Sequence, residues 1–187
     1  MRAAGQATRE RILTAAKAEF AEFGIAGARI NRIAAAAHAS KDRLYAYFPG
    51  KNELYAAVTE RWTTETSSEA AMSADDLPAY VGRLFDHFIA HPDNARLQAW
   101  SELEPSGDIP QVLRRTIDAK LVELRRGQHE GLVTTDIPAT ILLHMLTDLA
   151  RTSAAHARAG TVVAGRDRLA EQRSAMVSAV ARIVTPR

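Results

Sequence analysis

The stretch "SKDRLYAYFPGKNELY", residues 40–55, sets Tyr45, Tyr47 and Phe48 beside Lys41, Arg43 and Lys51 around a Pro49-Gly50 break. Aromatic residues make up only 6% of the chain, so their concentration next to cations needs a cause. Ser40 is a good N-cap for a short helix that the Pro-Gly pair then stops. Leu44 and Phe48, four residues apart, form its inward pair. The cations and both tyrosines are therefore left to its other faces. Lys51 opens a longer helix with Leu54, Tyr55, Val58 and Trp62 on one side, running to about Ser68.

Working toward the N-terminus, residues 29–37 read as another short helix, with Ile30, Ile33, Ala34 and Ala37 on one buried face and Arg29, Asn31 and Arg32 pointing elsewhere. The turn His38-Ala39 joins it to the Ser40 helix. Before it, Thr8 is a suitable N-cap for a first helix that places Ile12, Ala16, Phe20 and Phe23 on one face and ends at Gly24. Two short helices joined by a tight turn and braced by a third describe a helix-turn-helix, whose second helix enters the DNA major groove. Lys41, Asp42 and Arg43 would then face base edges. Tyr45 and Tyr47 would meet the sugar-phosphate backbone, and Lys51 would add a charge at a helix N-terminus for a further phosphate. Asp42 also stabilises the first turn of its own helix, and it can accept from cytosine N4 or repel phosphate.

Toward the C-terminus the punctuation predicts five more helices, at about residues 75–91, 94–104, 109–130, 136–159 and 163–184. Ser106-Gly107-Asp108 and Ala159-Gly160-Thr161 read as ordinary loops. No stretch alternates apolar and polar residues over a strand's length. The expected fold is all-α, about nine helices, with a helix-turn-helix head over residues 1–51 and a helical body over residues 52–187.

Composition narrows the function classes. The 187 residues carry a net charge of +2, but residues 1–51 hold nine Lys/Arg against four Asp/Glu, a balance of +5, and the remainder fifteen against eighteen, a balance of −3. A local excess of this kind suits a polyanion-binding head, though solvated helix faces produce it too. The chain has no cysteine, which removes disulfide frameworks, cysteine zinc sites and thiol nucleophiles. No run approaches the roughly 18 apolar residues of a membrane span, and the opening MRAAGQATRER lacks an apolar signal core, so a soluble cytoplasmic protein is expected.

His87 and His91 stand at metal-ligand spacing, but Phe-Ile-Ala lies between them and no third ligand is identifiable. They read as a helix-surface pair, and no metal or cofactor is expected. No nucleophile triad or phosphate-cradling glycine loop is present. An enzyme is not the reading.

From Thr8 to about Tyr55 the sequence resembles the tetracycline-repressor-like (TetR) transcriptional regulators. "TRERILTAAKAEFAEFG" is similar to that family's first helix, "INRIAAAAHAS" to its second helix and turn, and "LYAYFPGKNELY" to its recognition helix with the Pro-x-Lys signature that follows. The resemblance implies base or phosphate contacts from Asn31, Lys41, Asp42, Arg43 and Tyr45, and backbone contacts from Tyr47 and Lys51. It also implies a C-terminal body that binds a small molecule and forms the homodimer. This chain departs from the family pattern twice. His38 stands where the family usually has glycine, and Gly27-Ala28-Arg29 stands where Thr or Ser commonly caps the second helix, leaving Arg29 to substitute as a charge.

In the body, Ile137, Ile141, Leu142, Met145, Leu146 and Leu149 form a stripe wider than one neighbour requires, and Leu169, Met176, Val177, Val180, Ile183 and Val184 form another. Pairing both with their symmetry mates would give a four-helix dimer interface, centred on Ile141, Met145, Leu149, Met176, Val180 and Ile183. The alternative is that both stripes are intramolecular core. An effector pocket is expected from Trp62, Phe85, Phe88, Trp100, His144 and Asp148, with Tyr80 and Leu103 nearby, and would suit an uncharged or weakly charged effector. The expected function is a ligand-responsive regulator, most simply a repressor, that binds a palindromic double-stranded DNA operator as a homodimer and has no membrane partner. The rival is a helical small-molecule-binding or enzyme-like protein with no specific DNA binding, its basic half merely a solvated surface.

Overall fold

The computed structural model describes residues 2–104, 110–164 and 166–186. Among the described residues the chain forms nine α-helices: α1 (Arg2–Gly27), α2 (Ile30–Ala36), α3 (Lys41–Tyr47), α4 (Lys51–Glu69), α5 (Leu77–Ala90), α6 (Pro92–Leu103), α7 (Gln111–His129), α8 (Ala139–Ala164) and α9 (Arg166–Val184). A single 3-10 turn, Ala74–Asp76, precedes α5. The predicted 106–108 loop lies outside the described residues.

The residues divide into two compact units: Met1–Thr63 with Asp93–Leu113, and Thr64–Pro92 with Arg114–Arg187. In the first, Ile12, Ala16 and Phe20 of α1, Ile33 and Ala34 of α2, Leu44 of α3, and Leu54, Val58 and Trp62 of α4 share one apolar core, which Leu97 of α6 joins. Phe20 meets Tyr55 edge to face with centroids 5.2 Å apart. Burial pushes the Tyr55 phenol above its ordinary pKa. In the second unit, α5 packs against α8 and α9, which also pack on each other. Its Tyr80, Leu84, Phe85 and Phe88 are fully buried with Leu142 and Leu146 of α8 and Met176 and Val180 of α9.

Several boundaries differ from expectation, each for a physical reason. Thr8 does not start α1; the Ala-rich segment before it is already helical, and the buried Thr8 hydroxyl donates to the Ala4 carbonyl at 3.0 Å. Gly24 does not end α1 but kinks it, with φ 67° and ψ −174°, and helical hydrogen bonding resumes to Gly27. Phe23 turns outward, 37% exposed, where the Arg32 guanidinium covers its ring at 4.1 Å from the centroid. The predicted turn at residues 159–161 is helical, because α8 continues through Gly160 to Ala164. An isolated glycine in a helix costs only about 1 kcal/mol.

Candidate nucleic-acid interface

The head is held by contacts that fix α2 and α3 while leaving one face of each open. Arg29, the N-cap of α2, supplies no side-chain cap. The role passes to Glu19 of α1: its Oε1 accepts from the Arg29 backbone N–H at 2.8 Å and from Arg32 Nε at 2.7 Å. Arg32 also donates through Nη2 to the Gly27 carbonyl at 3.0 Å. A carboxylate from another helix thus replaces the missing Thr or Ser. Local sequence windows could not show this, because Glu19 lies ten residues upstream of the group it accepts from.

The turn between α2 and α3 is a Schellman motif. The Ala39 N–H donates to the Ala34 carbonyl at 3.0 Å and the His38 N–H to the Ala35 carbonyl at 3.1 Å. His38 adopts φ 50°, the one positive-φ non-glycine residue among the described residues. Arg11 of α1 donates through Nε to the Ala37 carbonyl at 3.2 Å and pins the turn from beneath. A left-handed conformation costs an L-residue roughly 1 kcal/mol that glycine avoids. His38→Gly is accordingly expected to stabilise the protein by up to about 1 kcal/mol, read as a small rise in thermal midpoint with operator contacts unchanged.

Ser40 caps α3, its Oγ accepting from the Arg43 backbone N–H at 3.1 Å. Leu44 and Phe48 are buried in the head core, whereas Lys41, Asp42, Arg43 and Tyr45 are exposed. The Lys41 ammonium sits 5.8 Å from the Tyr45 ring centroid, so cation and phenol share one surface. Arg29 and Asn31 are exposed at the start of α2. Tyr47 is half-buried, packed on the core. Lys51, the first residue of α4, directs its Nζ to the carbonyls of Ala26 and Ala28 at 3.4 and 3.3 Å. An ammonium has three donors, and these two carbonyls take two of them.

One brace of the head escaped sequence reading. At the α1 kink, Glu104 Oε2 accepts from the Ile25 and Ala26 backbone N–H groups at 2.7 and 3.1 Å, and Trp100 Nε1 donates to the Ala21 carbonyl at 3.2 Å. Both side chains come from α6 or the residue after it, nearly eighty residues from their partners, so no local signal pointed to them.

The candidate effector residues fall in both units: Trp62 and Trp100 in the first, and Phe85, Phe88, His144 and Asp148 in the second. Trp62 is buried, as are Phe85 and Phe88. Tyr80 is also fully buried, whereas Leu103 is exposed. His144 is exposed, and Asp148 accepts from Arg151 Nη2 at 2.9 Å. Of the candidate dimer residues, Met176 and Val180 lie inside the second unit's own core and are not free to meet another copy. Ile141 and Met145 are 52% and 41% exposed, with Leu149 and Ile183 partly so. His87 is not on the surface either. It is 3% exposed, because α5 is buried on most of its circumference.

Residues 76–182 match the family described as tetracyclin repressor-like, C-terminal domain, and residues 12–58 match bacterial regulatory proteins, tetR family. The chain belongs to the TetR family. The HTH-type transcriptional repressor SCO4008 of Streptomyces coelicolor is 40% identical over 148 residues, which are 78% of this chain and 77% of that relative. The crystal structure of SCO4942 from the same organism superposes with a TM-score of 0.80 at 42% identity, covering 95% of this chain and 98% of the other. A TetR family transcription regulator from Marinobacter aquaeolei shares the fold over the whole of both chains, with a TM-score of 0.82 at 21% identity. The protein is therefore a TetR-family transcription regulator with a DNA-binding helix-turn-helix, and its relatives are regulators rather than enzymes. Among the described residues no helix is long and apolar enough to cross a membrane.

Proposed function

We propose that the protein is a ligand-responsive repressor that binds a palindromic operator as a homodimer and leaves it when a small molecule binds the body. One observation carries the DNA-reading part: α3 buries Leu44 and Phe48 and presents Lys41, Asp42, Arg43 and Tyr45 together on the outside of a braced head. A recognition helix needs that division, with an anchored inner face and base-reading donors outside. Residues 1–51 would provide operator contact, with Arg29, Asn31, Tyr47 and Lys51 on flanking phosphates. Residues 52–187 would provide effector binding and dimerisation. Two heads related by a two-fold axis would occupy successive major grooves about 34–36 Å apart. The exposed apolar pair Ile141 and Met145 on α8 supports the dimer, flanked by Leu149 and Ile183. An apolar effector site in the second unit would draw on Phe85 and Phe88, which are buried in that unit's core.

The test is binding to the DNA immediately upstream of the protein's own gene across a salt series. Phosphate contact gives a log-log slope of about −0.9 per neutralised phosphate. Lys51→Ala is expected to reduce the slope by about one. An unchanged slope with a lower thermal midpoint would assign Lys51 to bracing Ala26 and Ala28 alone. Nonspecific association across a genomic library, insensitive to changes on α3, would return the rival reading to first place.

A further inference from the structure

Beyond operator and effector binding, and independently of both, we infer that Glu69, His87 and His91 form a binding site for one first-row divalent metal ion, zinc foremost. His87 and His91 stand one turn apart at the end of α5, and Glu69 is the last residue of α4. His87 Nδ1 lies 2.7 Å and His91 Nε2 3.3 Å from the same carboxylate oxygen, Glu69 Oε2. The three donor atoms all lie within 4.8 Å of one another. Tetrahedral zinc with bonds of about 2.0–2.1 Å holds its donors roughly 3.3 Å apart. The His91–Glu69 pair already has that spacing. The His87–Glu69 contact must open by about half an ångström, and the two imidazole nitrogens, within 4.8 Å of each other, must close by up to about 1.5 Å to reach that spacing. The flexible members are the ones that need to adjust, since Glu69 and His91 are partly exposed and His87 is fixed in the core.

The surroundings of His87 suit a ligand. Its Nε2 lies 3.0 Å from the buried Thr66 Oγ1. Without a metal the 2.7 Å contact has Nδ1–H donating to the Glu69 carboxylate and Nε2 accepting from the Thr66 hydroxyl. A bound ion would take the place of that proton, the ring changing tautomer so that Nε2–H donates to Thr66 Oγ1 and the Nδ1 lone pair faces the ion. A hydrogen bond at the far ring nitrogen orients metal-bound histidines in this way. The site also lies where two helices end. Glu69 closes α4, and His91 closes α5 with its N–H on the His87 carbonyl at 2.7 Å. Helix C-termini carry partial negative charge, which favours a cation. Two neutral imidazoles and one carboxylate are the donor set that zinc and its first-row neighbours take, with water in the remaining position. The sequence showed the two histidines but not the third ligand, which comes from a different helix.

The experiment is titration of the tag-free full-length protein with Zn2+ alone by isothermal calorimetry at near-neutral pH, repeated with Co2+ for its visible spectrum. One ion per chain is expected, with a higher thermal midpoint at saturation and a cobalt spectrum of low coordination number. His91→Ala and Glu69→Gln should each weaken binding at least tenfold. Thr66→Val, which keeps all three ligands, should weaken it by about tenfold or more, the usual effect of removing a group that orients a ligand. His156→Ala, at an exposed position on α8, should leave it unchanged. Absence of stoichiometric binding in the wild type would overturn the inference and leave a hydrogen-bonded triad. Binding undiminished in both His91→Ala and Glu69→Gln would overturn it equally.

Discussion

Replacing Arg43 and Tyr45 together with alanine is expected to lower operator affinity at least a hundredfold while leaving the thermal midpoint nearly unchanged. Both side chains are exposed on α3, and neither contributes to the head core. The cap of α3 survives the change, because the Ser40 hydroxyl takes its hydrogen bond from the Arg43 backbone and not from the guanidinium. Alanine is also the stronger helix former at both sites. A lost base or phosphate contact typically costs about 1–3 kcal/mol. Two such losses reach the roughly 2.7 kcal/mol that a hundredfold change requires. Electrophoretic mobility shift and calorimetric melting on the same preparations separate the effects. Undiminished specific binding would remove α3 from the interface, and a large fall in midpoint would show that the helix depends on its outer face for stability.

The second large effect is expected on stability. Gly24→Ala should destabilise the protein by about 3 kcal/mol or more, because two penalties coincide there. Its φ of 67° with ψ near 180° is a region that essentially only glycine occupies, at a cost of about 1–3 kcal/mol for other residues. A Cβ would also lie 2.8 Å from the Trp100 ring and 2.9 Å from Glu104 Oε2. Relief would require displacing Glu104, the acceptor for two backbone N–H groups. For a chain of this length each kcal/mol shifts the midpoint by about 2–4 °C, so a fall of roughly 6–12 °C is the measurement. Gly131 supplies the comparison. Its φ is 71°, but a Cβ added there would meet nothing within 4 Å, so Gly131→Ala should cost only the backbone strain, about 1 kcal/mol. Equal losses at the two positions would show that the Trp100 and Glu104 contacts carry no weight.

The parts of the head that could be read from sequence were those whose causes are local. Ser40 caps α3 through a group three residues away, Leu44 and Phe48 repeat at helical spacing, and the Pro49-Gly50 break separates α3 from α4. The turn at His38-Ala39 was legible too, but the left-handed conformation of His38 was suggested only by the glycine that the family usually has there. Features set by distant partners were not legible. Phe23 lies on the expected inward stripe but faces Arg32, and Gly24 looks like a helix stop but is held as a kink by Glu104 and Trp100. Glu19 acts as the cap of α2 across a loop, and Glu69 meets His87 from another helix. The outermost stripes of α8 and α9 were ambiguous in a different way. Periodicity shows that Met176, Val180, Ile141 and Met145 are apolar at regular intervals, but only packing shows that the first pair is used within the unit and the second is exposed.

The attachment of α6 to the α1 kink bears on how regulators of this kind can be recombined. A designer wishing to transplant this head onto another sensor would naturally cut the chain near Lys51 or Thr63, where the helix-turn-helix is complete on paper. Such a graft would leave behind Trp100 and Glu104, stranding the Ile25 and Ala26 N–H groups and the Ala21 carbonyl without their partners, and would also remove Leu97 from the core. The portable module is discontinuous: residues 1–63 together with residues 93–113. A functional chimera must therefore bring both pieces from the same parent, or redesign the α1 kink so that it no longer needs the second.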